Sequence, residues 1–426
     1  MSPLRERRFR RLWIAGLISD TGDWLLLVSL PILVYEYTHS TIGTAAAFLV
    51  ELAPPVLLAP LAGRIADRSD RRRILAGISL AQAAALTPLL LVAGRSGLPV
   101  VYGVVVAQSA LAAVFDPTKN ALLPTLVDPD RLLSANSLVA LNQNVGRLIG
   151  GSLGGALLAV GGGLSVIVVA DGASFLLAAG LIASLAPARA APGDPRAPDP
   201  PTPDPTARDG GWALALRPPE IRAGLLVLLI ASVAQGIFAV LYIVFAARVL
   251  HGGSGEIGLL RGVQAVGAIA AALPLALARR ISPRALTASA AVAFGLLDLA
   301  IWNLPHLTLA VPVYVGLFVV VGAPGTALVT GLTSALQQAS ADGRRGRTFA
   351  AAGVATSVGQ AAGMIAAGLL ADRLGVVNVL NAQGTLYLLA GLVAAVWLGR
   401  PGRIHGRPAP AAASPASARP SPRPAD

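Results

Sequence analysis

Carboxylate side chains lie inside apolar stretches of this chain, where a hydrocarbon environment makes a charge costly. Asp20 and Asp23 fall in the first stretch, Glu51 in the second and Asp171 in the sixth. Side chains three residues apart share one face of a helix, and two carboxylates close together in a medium of low polarity do not easily both stay ionised. One of the pair then keeps a proton, so this pattern predicts a proton-binding site.

Arg147, in the middle of the fifth apolar stretch, is a fixed positive charge that suits such a carboxylate. Because an arginine keeps its proton in proteins, we expect it to be the counter-ion that a carboxylate releases on protonation. The predicted proton-coupling residues are Asp23, Glu51, Arg147, Asp20 and Asp171. For two of these residues an alternative to proton coupling stays open. Asp20 would instead cap local structure or line a water-filled vestibule, and Asp171 would instead form hydrogen bonds to neighbouring helices.

Two other ionisable residues in the apolar stretches, Asp116 and Arg261, are interpreted as structural. Asp116 lies near the end of the fourth stretch beside Pro117. Asp298 and Arg261 lie near the outer ends of stretches in the second half of the chain. Since Glu256 is close to Arg261 in the sequence, we expect these two side chains to form an ion pair at the surface.

Helices must position these residues in a bilayer. Apolar residues make up 55% of the 426 positions and charged residues only 13%, which is too little charge to cover a soluble globule. A bilayer core needs roughly 20 apolar residues per helix. The arginine-rich start precedes a run too long for a cleaved signal peptide, so it counts as a span. The twelve predicted spans are 12–36, 42–66, 74–94, 99–123, 137–160, 164–186, 221–247, 256–278, 284–303, 308–335, 347–371 and 376–399.

The spans fall into two groups of six. Residues 1–186 form the predicted N-terminal bundle and residues 220–400 the C-terminal bundle. Residues 187–219 between them are rich in Pro and Asp, which is typical of a solvated linker. Residues 401–426 are rich in Pro, Ala and Ser, and we expect a disordered tail.

The charges of the loops predict the orientation. With a cytoplasmic N-terminus, 28 of the 33 Lys and Arg side chains fall inside; Arg95, Arg248 and Arg373 fall outside, and Arg147 and Arg261 lie within spans. Basic clusters occupy every second gap, as the positive-inside rule requires. Heavy use of Ala, Gly and Arg is typical of a high-GC bacterial genome. We therefore expect a multi-pass protein of the bacterial inner membrane with linker and both termini cytoplasmic.

The two halves of the chain resemble each other at an offset near 214 residues. Short matches such as PLA at 60–62 and 274–276, and GALL at 155–158 against GLL at 368–370, recur on either side of the linker. Two parallel six-helix repeats related by a pseudo-two-fold axis, with a substrate site between them, form a plan used by secondary transporters. The predicted fold class is thus an all-α membrane protein.

Several functions are excluded by missing residues. The sequence has no cysteine, no G-x-x-x-x-G-K-[ST] motif, and no H-E-x-x-H or G-x-S-x-G motif. We therefore expect no cofactor, no metal site, no ATP hydrolysis and no enzymatic activity. The net charge of +12 resides in short clusters between spans, so nucleic-acid binding is not predicted.

The gap between spans two and three reads GRIADRSDRRR at residues 63–73. This sequence resembles the signature loop of the major facilitator superfamily. That resemblance implies a latch that holds the cytoplasmic side shut, formed by Gly63, Asp67, Arg68, Arg71 and Arg72. The corresponding gap in the second half lacks the Gly and the Asp.

Spans four to six resemble the macrolide-efflux-like branch of that superfamily, whose members are twelve-span drug exporters. The shared motifs of these spans are FDP at 115–117, ALLP at 121–124, ANS at 135–137 and DGASF at 171–175, and RRGR at 344–347 in the loop between spans ten and eleven also fits the branch. The resemblance implies transport of a small molecule.

Span five also resembles the antiporter motif G-x-x-x-G-P-x-x-G-G of the superfamily. Its glycines are present as Gly146, Gly150, Gly154 and Gly155, and Gly151 stands in place of the proline. Glycines four residues apart leave a smooth ridge against which a second helix can slide or simply pack closely. The motif implies antiport.

We expect the substrate cavity to be apolar with amide and aromatic side chains, which suits a drug, an antibiotic or a siderophore-like compound. The leading hypothesis is a proton antiporter that exports small amphipathic or lipophilic molecules by alternating access. Its expected partners are the small-molecule substrate, protons and the lipid bilayer, and we expect it to be a monomer. Uptake or facilitated diffusion, and a non-transporting membrane sensor or scaffold, are the alternatives. The predicted cavity residues are Trp24, Asn142, Asn144, Phe238, Tyr242 and Gln360.

Overall fold

The computed structural model describes residues 3–66, 70–160, 163–185, 218–277, 281–340 and 344–397. These residues fold into twelve long α-helices. The helices are α1 (Arg7–Thr38), α2 (Thr41–Ala66), α3 (Arg71–Leu86), α4 (Leu98–Leu122), α5 (Leu132–Ala159), α6 (Gly163–Ala183), α7 (Pro219–Arg248), α8 (Ser254–Leu277), α9 (Pro283–Asn303), α10 (Val311–Ala339), α11 (Arg345–Leu374) and α12 (Val376–Trp397).

Eleven of the helices in the described ranges are long and apolar enough to cross a membrane. The helix that does not qualify is α5, because Asn142, Gln143, Asn144 and Arg147 dilute its apolar residues. This helix packs against α1 on one side and α8 on the other. It is therefore one of the helices through which the two halves meet.

The two halves repeat the same packing. In the first half α1 packs on α5 and α6, α2 on α4, and α3 on α6; in the second half α7 packs on α11 and α12, α8 on α10, and α9 on α12. Each second-half helix begins 212 or 213 residues after its counterpart, as with Arg7 and Pro219, or Thr41 and Ser254. The pseudo-two-fold repeat predicted from the sequence is confirmed.

Helix direction gives the bundle two ends. We call the end at which α1 begins and α2 ends the basic face, and the end at which α1 ends and α2 begins the outer face. The halves join near the outer face, where α5 packs on α8 and α2 packs on α11. At the second contact, Gly368 of α11 lies against Ile42 and Ala45 of α2. A cleft between the halves is thereby closed at its outer end.

Some predicted features lie outside the described residues. These are the linker at 187–217, the tail at 401–426, and Asp67 and Arg68 of the signature loop. The linker was predicted to end at 219, and the structure begins α7 at Pro219.

Candidate functional site

A cavity of about 730 Å³ lies between α5 of the first half and the helices of the second half. Asn144 and Arg147 reach it from α5, while Phe238 and Arg261 line it from α7 and α8 near mid-depth. The lining continues to Leu336 and Phe349, which lie close to the basic-face ends of α10 and α11. The cavity therefore extends from the middle of the bundle towards the basic face.

Two further cavities continue from this one into the first half. One of about 600 Å³ is lined by Glu51 and Asp116 of the first half and by Gln235, Arg261 and Gln360 of the second. The last three side chains also line the 730 Å³ cavity. The shared lining residues show that these spaces adjoin each other.

The third cavity, of about 400 Å³, lies within the first half. It is lined by Asp20, Asp23, Glu51, Asp116 and Lys119, and it shares Glu51 and Asp116 with its neighbour. We call the three connected cavities the cleft. The sequence-predicted acids Asp20, Asp23 and Glu51 are thus brought together on one wall of it.

The carboxylates of this wall differ in their partners. The Asp23 carboxylate accepts a 3.4 Å hydrogen bond from the Ser19 hydroxyl, and Asp116 forms a 3.3 Å ion pair with Lys119. Among the described residues, neither Asp23 nor Glu51 has an ion-pair partner within 4.0 Å. Asp23 lies deep in α1, yet its side chain is exposed to the cleft. Water or a proton can therefore reach it.

Arg261 does not pair with Glu256 at the surface, contrary to the prediction. The Glu256 carboxylate instead accepts a 2.9 Å bond from the Gly253 N–H. Arg261 points into the cleft, where its guanidinium lies 5.7 Å from the ring centroid of Trp24, 5.3 Å from that of Phe238 and 5.4 Å from that of Tyr242.

Arg147 is not paired with a carboxylate in the described part of the chain. Its Nη2 donates a 3.1 Å hydrogen bond to Asn144, its guanidinium lies 5.8 Å from the centroid of Trp24, and its Nε is buried without a partner. The expected contact with Asp23 or Glu51 is absent from this conformation, because Trp24 stands beside the guanidinium instead.

Asp171 and Asp298 are buried inside the separate bundles and do not line the cleft. Asp171 of α6 accepts a 3.1 Å bond from Ser174 and packs against α1 at Gly22. Asp298 accepts a 2.6 Å bond from the Gln383 amide. The bond to Asp171 comes from its own helix, so the alternative of a hydrogen bond to a neighbouring helix stays a prediction; its second oxygen has no partner among the described residues.

Four of the six predicted cavity residues line the cleft: Trp24, Asn144, Phe238 and Gln360. Asn142 does not, because its amide donates a 2.8 Å bond to the Trp13 carbonyl between α5 and α1. Tyr242 does not either, because it is buried behind Phe238, on which it stacks with 5.4 Å between ring centroids. Gln235, Gln264 and Arg261 line the cleft but were not predicted to do so.

The chain matches the family described as transmembrane secretion effector over residues 1–401. It belongs to this family of major facilitator superfamily transporters. The transporter is 26% identical to the uncharacterized MFS-type transporter YfiS of Bacillus subtilis over 386 residues, 88% of the chain and 89% of that protein. Macrolide efflux protein A of Streptococcus pyogenes is 27% identical over 155 residues, 36% of the chain and 38% of that protein.

Solved structures share the fold. A bacterial homologue of the iron transporter ferroportin in its inward-facing state superposes with a TM-score of 0.71 at 20% identity, over 94% of the transporter and 100% of that chain. The predicted superfamily and the twelve-helix fold are thereby confirmed. The transporter is a multi-pass membrane protein that handles small-molecule substrates.

Two arginines of the predicted latch form hydrogen bonds inside the first half of the transporter. Arg71 donates a 3.3 Å bond to the Ala121 carbonyl at the end of α4, and Arg72 donates to the Leu185 carbonyl just after α6. Gly63 lies in α2, and its contacts are not among those that the structure describes. The two arginines therefore fasten α3 to α4 and α6 within the first half.

The glycines of α5 serve two different contacts in the transporter. A Cβ at Gly146, Gly150 or Gly154 would meet the backbone of α1 at 2.8, 2.1 and 2.7 Å, so these three allow close packing inside the first half. A Cβ at Gly155 would lie 2.2 Å from the Ser254 carbonyl oxygen of α8, across the boundary between the halves. Only Gly155 of the predicted motif lies on a surface that moves if the halves rock.

Polar side chains join the halves at the outer face. Arg248 forms a 2.8 Å ion pair with Asp372 and donates 2.9 Å and 2.8 Å bonds to the Tyr35 hydroxyl and the His39 carbonyl. Asp372 in turn accepts a 3.2 Å bond from Thr41. We call these five residues the outer clamp. It was not foreseen from the sequence, because its members come from three distant segments, residues 35–41, 248 and 372.

Proposed function

We propose that this transporter exports small amphipathic or lipophilic molecules, such as a drug, an antibiotic or a siderophore-like compound, in exchange for protons. It works as a monomer in the bacterial inner membrane with both termini cytoplasmic. The basic face is then cytoplasmic, and cargo enters the cleft from that side while the outer clamp is closed.

One observation carries this proposal: Asp23 and Glu51 line the cleft at membrane depth with no cationic group within 4.0 Å among the described residues. An ionised carboxylate without a counter-ion is costly in such a place. Binding a proton removes that cost. Proton occupancy can therefore bias which arrangement of the two halves is stable.

The cleft supports a cargo with a large apolar body. Its walls mix Leu, Val, Phe and Ala side chains with the amides of Asn144, Gln235, Gln264 and Gln360. Apolar walls with a few directional polar groups suit a bulky lipophilic molecule. The partial likeness to macrolide efflux protein A supports the same class of cargo.

The direct test is flux in everted membrane vesicles that contain the transporter. We expect a dye or antibiotic from a chemically varied panel to accumulate when the vesicle interior is acidified, and this accumulation to collapse when an ionophore removes the proton gradient. Equal flux with and without the gradient would favour facilitated diffusion instead. Absence of flux for the whole panel would favour the sensor or scaffold alternative.

A further inference from the structure

We propose that the cleft contains an anion site, in which Arg261 and Arg147 bind the carboxylate or sulfonate of an amphipathic organic cargo while its apolar body lies against Trp24 and Phe238. This inference rests on the proposed transport function and specifies the charge of the cargo.

Arg261 has unused hydrogen-bond donors. A guanidinium offers five N–H groups, and the hydrogen bond found for Arg261 is a 3.3 Å contact from Nη1 to Gln264. Three aromatic rings surround it, and aromatic faces stabilise the charge without accepting its in-plane N–H bonds. The remaining donors can therefore bind a ligand from the cleft, which Arg261 lines in two of its three cavities.

Arg147 adds a second cation to the same place. Both guanidinium groups lie near the Trp24 ring, at 5.8 Å and 5.7 Å from its centroid. The Arg147 Nε is buried and unpartnered, and an unsatisfied buried donor on a charged group is costly. Two like charges at this depth with no carboxylate partner among the described residues form a site that an anion would stabilise.

The rest of the cleft argues against a cationic head group at this position. The carboxylates Asp20, Asp23 and Asp116 line the 400 Å³ cavity of the first half, which neither arginine lines. Glu51 and Asp116 line the 600 Å³ space together with Arg261, and Asp116 is already ion-paired with Lys119. The 730 Å³ cavity, which both arginines line, has no carboxylate among its described lining residues, so the anion and the proton have different binding places.

An equilibrium binding measurement tests the site without any gradient. The transporter is placed in nanodiscs and titrated with pairs of probes that share a ring system and nearly the same shape, one an anion and the other its neutral amide: 2-naphthoate against 2-naphthamide, and naphthalene-2-sulfonate against its sulfonamide. We expect the anion of at least one pair to bind about ten-fold more tightly, as for a hydrogen bond to a charged group. We expect Arg261→Gln and Arg147→Gln to remove this preference.

Two more variants make the result decisive. Arg261→Lys keeps the charge but loses the planar group, so part of the preference should survive; Arg373→Gln removes an exposed arginine of the outer face and should leave binding unchanged. Thermal unfolding in the same nanodiscs checks that each variant is folded. If Arg261→Gln does not fold, the anion preference of Arg147→Gln and of Arg261→Lys tests the proposal instead. Equal affinity within both probe pairs, or a preference that survives loss of both arginines, would overturn the proposal.

This readout is independent of proton coupling. Loss of proton-driven flux with retained anion preference would contradict the proposed antiport alone. Proton-driven flux of neutral cargo with no anion preference would contradict the anion site alone.

Discussion

At the scale of single residues, partners decide what a buried charge does. Asp20 and Asp23 were placed on one helix face by their spacing, and both line the same cavity. The environment of Arg261 was predicted wrongly from its neighbour in the sequence, because Glu256 is five residues away and so lies about 140° round the helix. Side chains three or four residues apart face each other, whereas the rings around Arg261 come from two other helices, α1 and α7.

Removing the ionisable acids should uncouple transport from protons. We expect Asp23→Asn and Glu51→Gln each to lower proton-driven efflux at least about ten-fold, which corresponds to about 1.4 kcal/mol of lost driving interaction. Exchange of labelled for unlabelled substrate at equal pH should persist, because the neutral side chain mimics the protonated acid. Glu256→Gln, whose carboxylate lies outside the cleft near the outer face, is the control. Parental efflux in both cleft variants would refute this assignment.

A buried network of α9 and α12 should be purely structural. Gln383 donates to Asp298 at 2.6 Å and accepts from the Trp302 indole N–H at 2.9 Å. We expect Gln383→Leu to lower the free energy of unfolding by about 1–3 kcal/mol, because it leaves two buried polar groups unsatisfied. Thermal unfolding in detergent measures this loss, with Gln337→Leu at an exposed position as the control. A parental unfolding temperature would show that the network contributes no stability.

At the scale of helices, the sequence indicated which glycines matter but not what each one contacts. Gly146, Gly150 and Gly154 are spaced by four and share a face, which turns towards α1. Gly155 follows Gly154 by one residue, so it points about 100° away and meets α8. Periodicity defines faces, whereas the neighbour of each face depends on how distant segments pack.

Bulky replacements should separate these two glycine contacts. We expect Gly150→Val to destabilise the first half by about 1–3 kcal/mol, as overpacking does, and to lower the unfolding temperature. Gly155→Val should instead force α5 and α8 apart at the outer face and slow transport with a smaller change in stability. Gly180→Val on α6, where a Cβ would meet no atom within 4 Å, is the control. If Gly150→Val and Gly155→Val showed the same loss of stability and the same transport rate, the two glycines would not serve different contacts.

At the scale of the whole molecule, the repeat was predictable and the arrangement of the halves was not. The sequence offset near 214 corresponds to helix starts 212 or 213 residues apart. The outer clamp could not be foreseen, since Arg248 reaches Tyr35, 213 residues away, and Asp372, 124 residues away. Such contacts depend on how two bundles sit against each other, which local periodicity does not encode.

The clamp should set the balance between the two conformations of the halves. Arg248 crosses from the second half to the first through its bonds to the Tyr35 hydroxyl and the His39 carbonyl, and the loss of such a hydrogen bond costs about 1 kcal/mol. We therefore expect Arg248→Gln to change the conformer ratio by about five-fold without unfolding the protein. Since the chain has no cysteine, spin labels can be attached at Glu36→Cys and Leu374→Cys. Pulsed electron paramagnetic resonance then measures the distance between these two labels at the outer face. Arg373→Gln is the control, and an unchanged distance distribution for Arg248→Gln would contradict the clamp.

Movement of cargo and protons in opposite directions is the central claim, and it can be measured in one experiment. The purified transporter is reconstituted in liposomes that contain a pH-sensitive dye, with a substrate found in the vesicle screen loaded on one side only and no initial pH difference. The account predicts that cargo leaving one side brings protons to that side, and that Asp23→Asn abolishes this proton movement while cargo still exchanges. Cargo that runs down its gradient with no change in internal pH would contradict it.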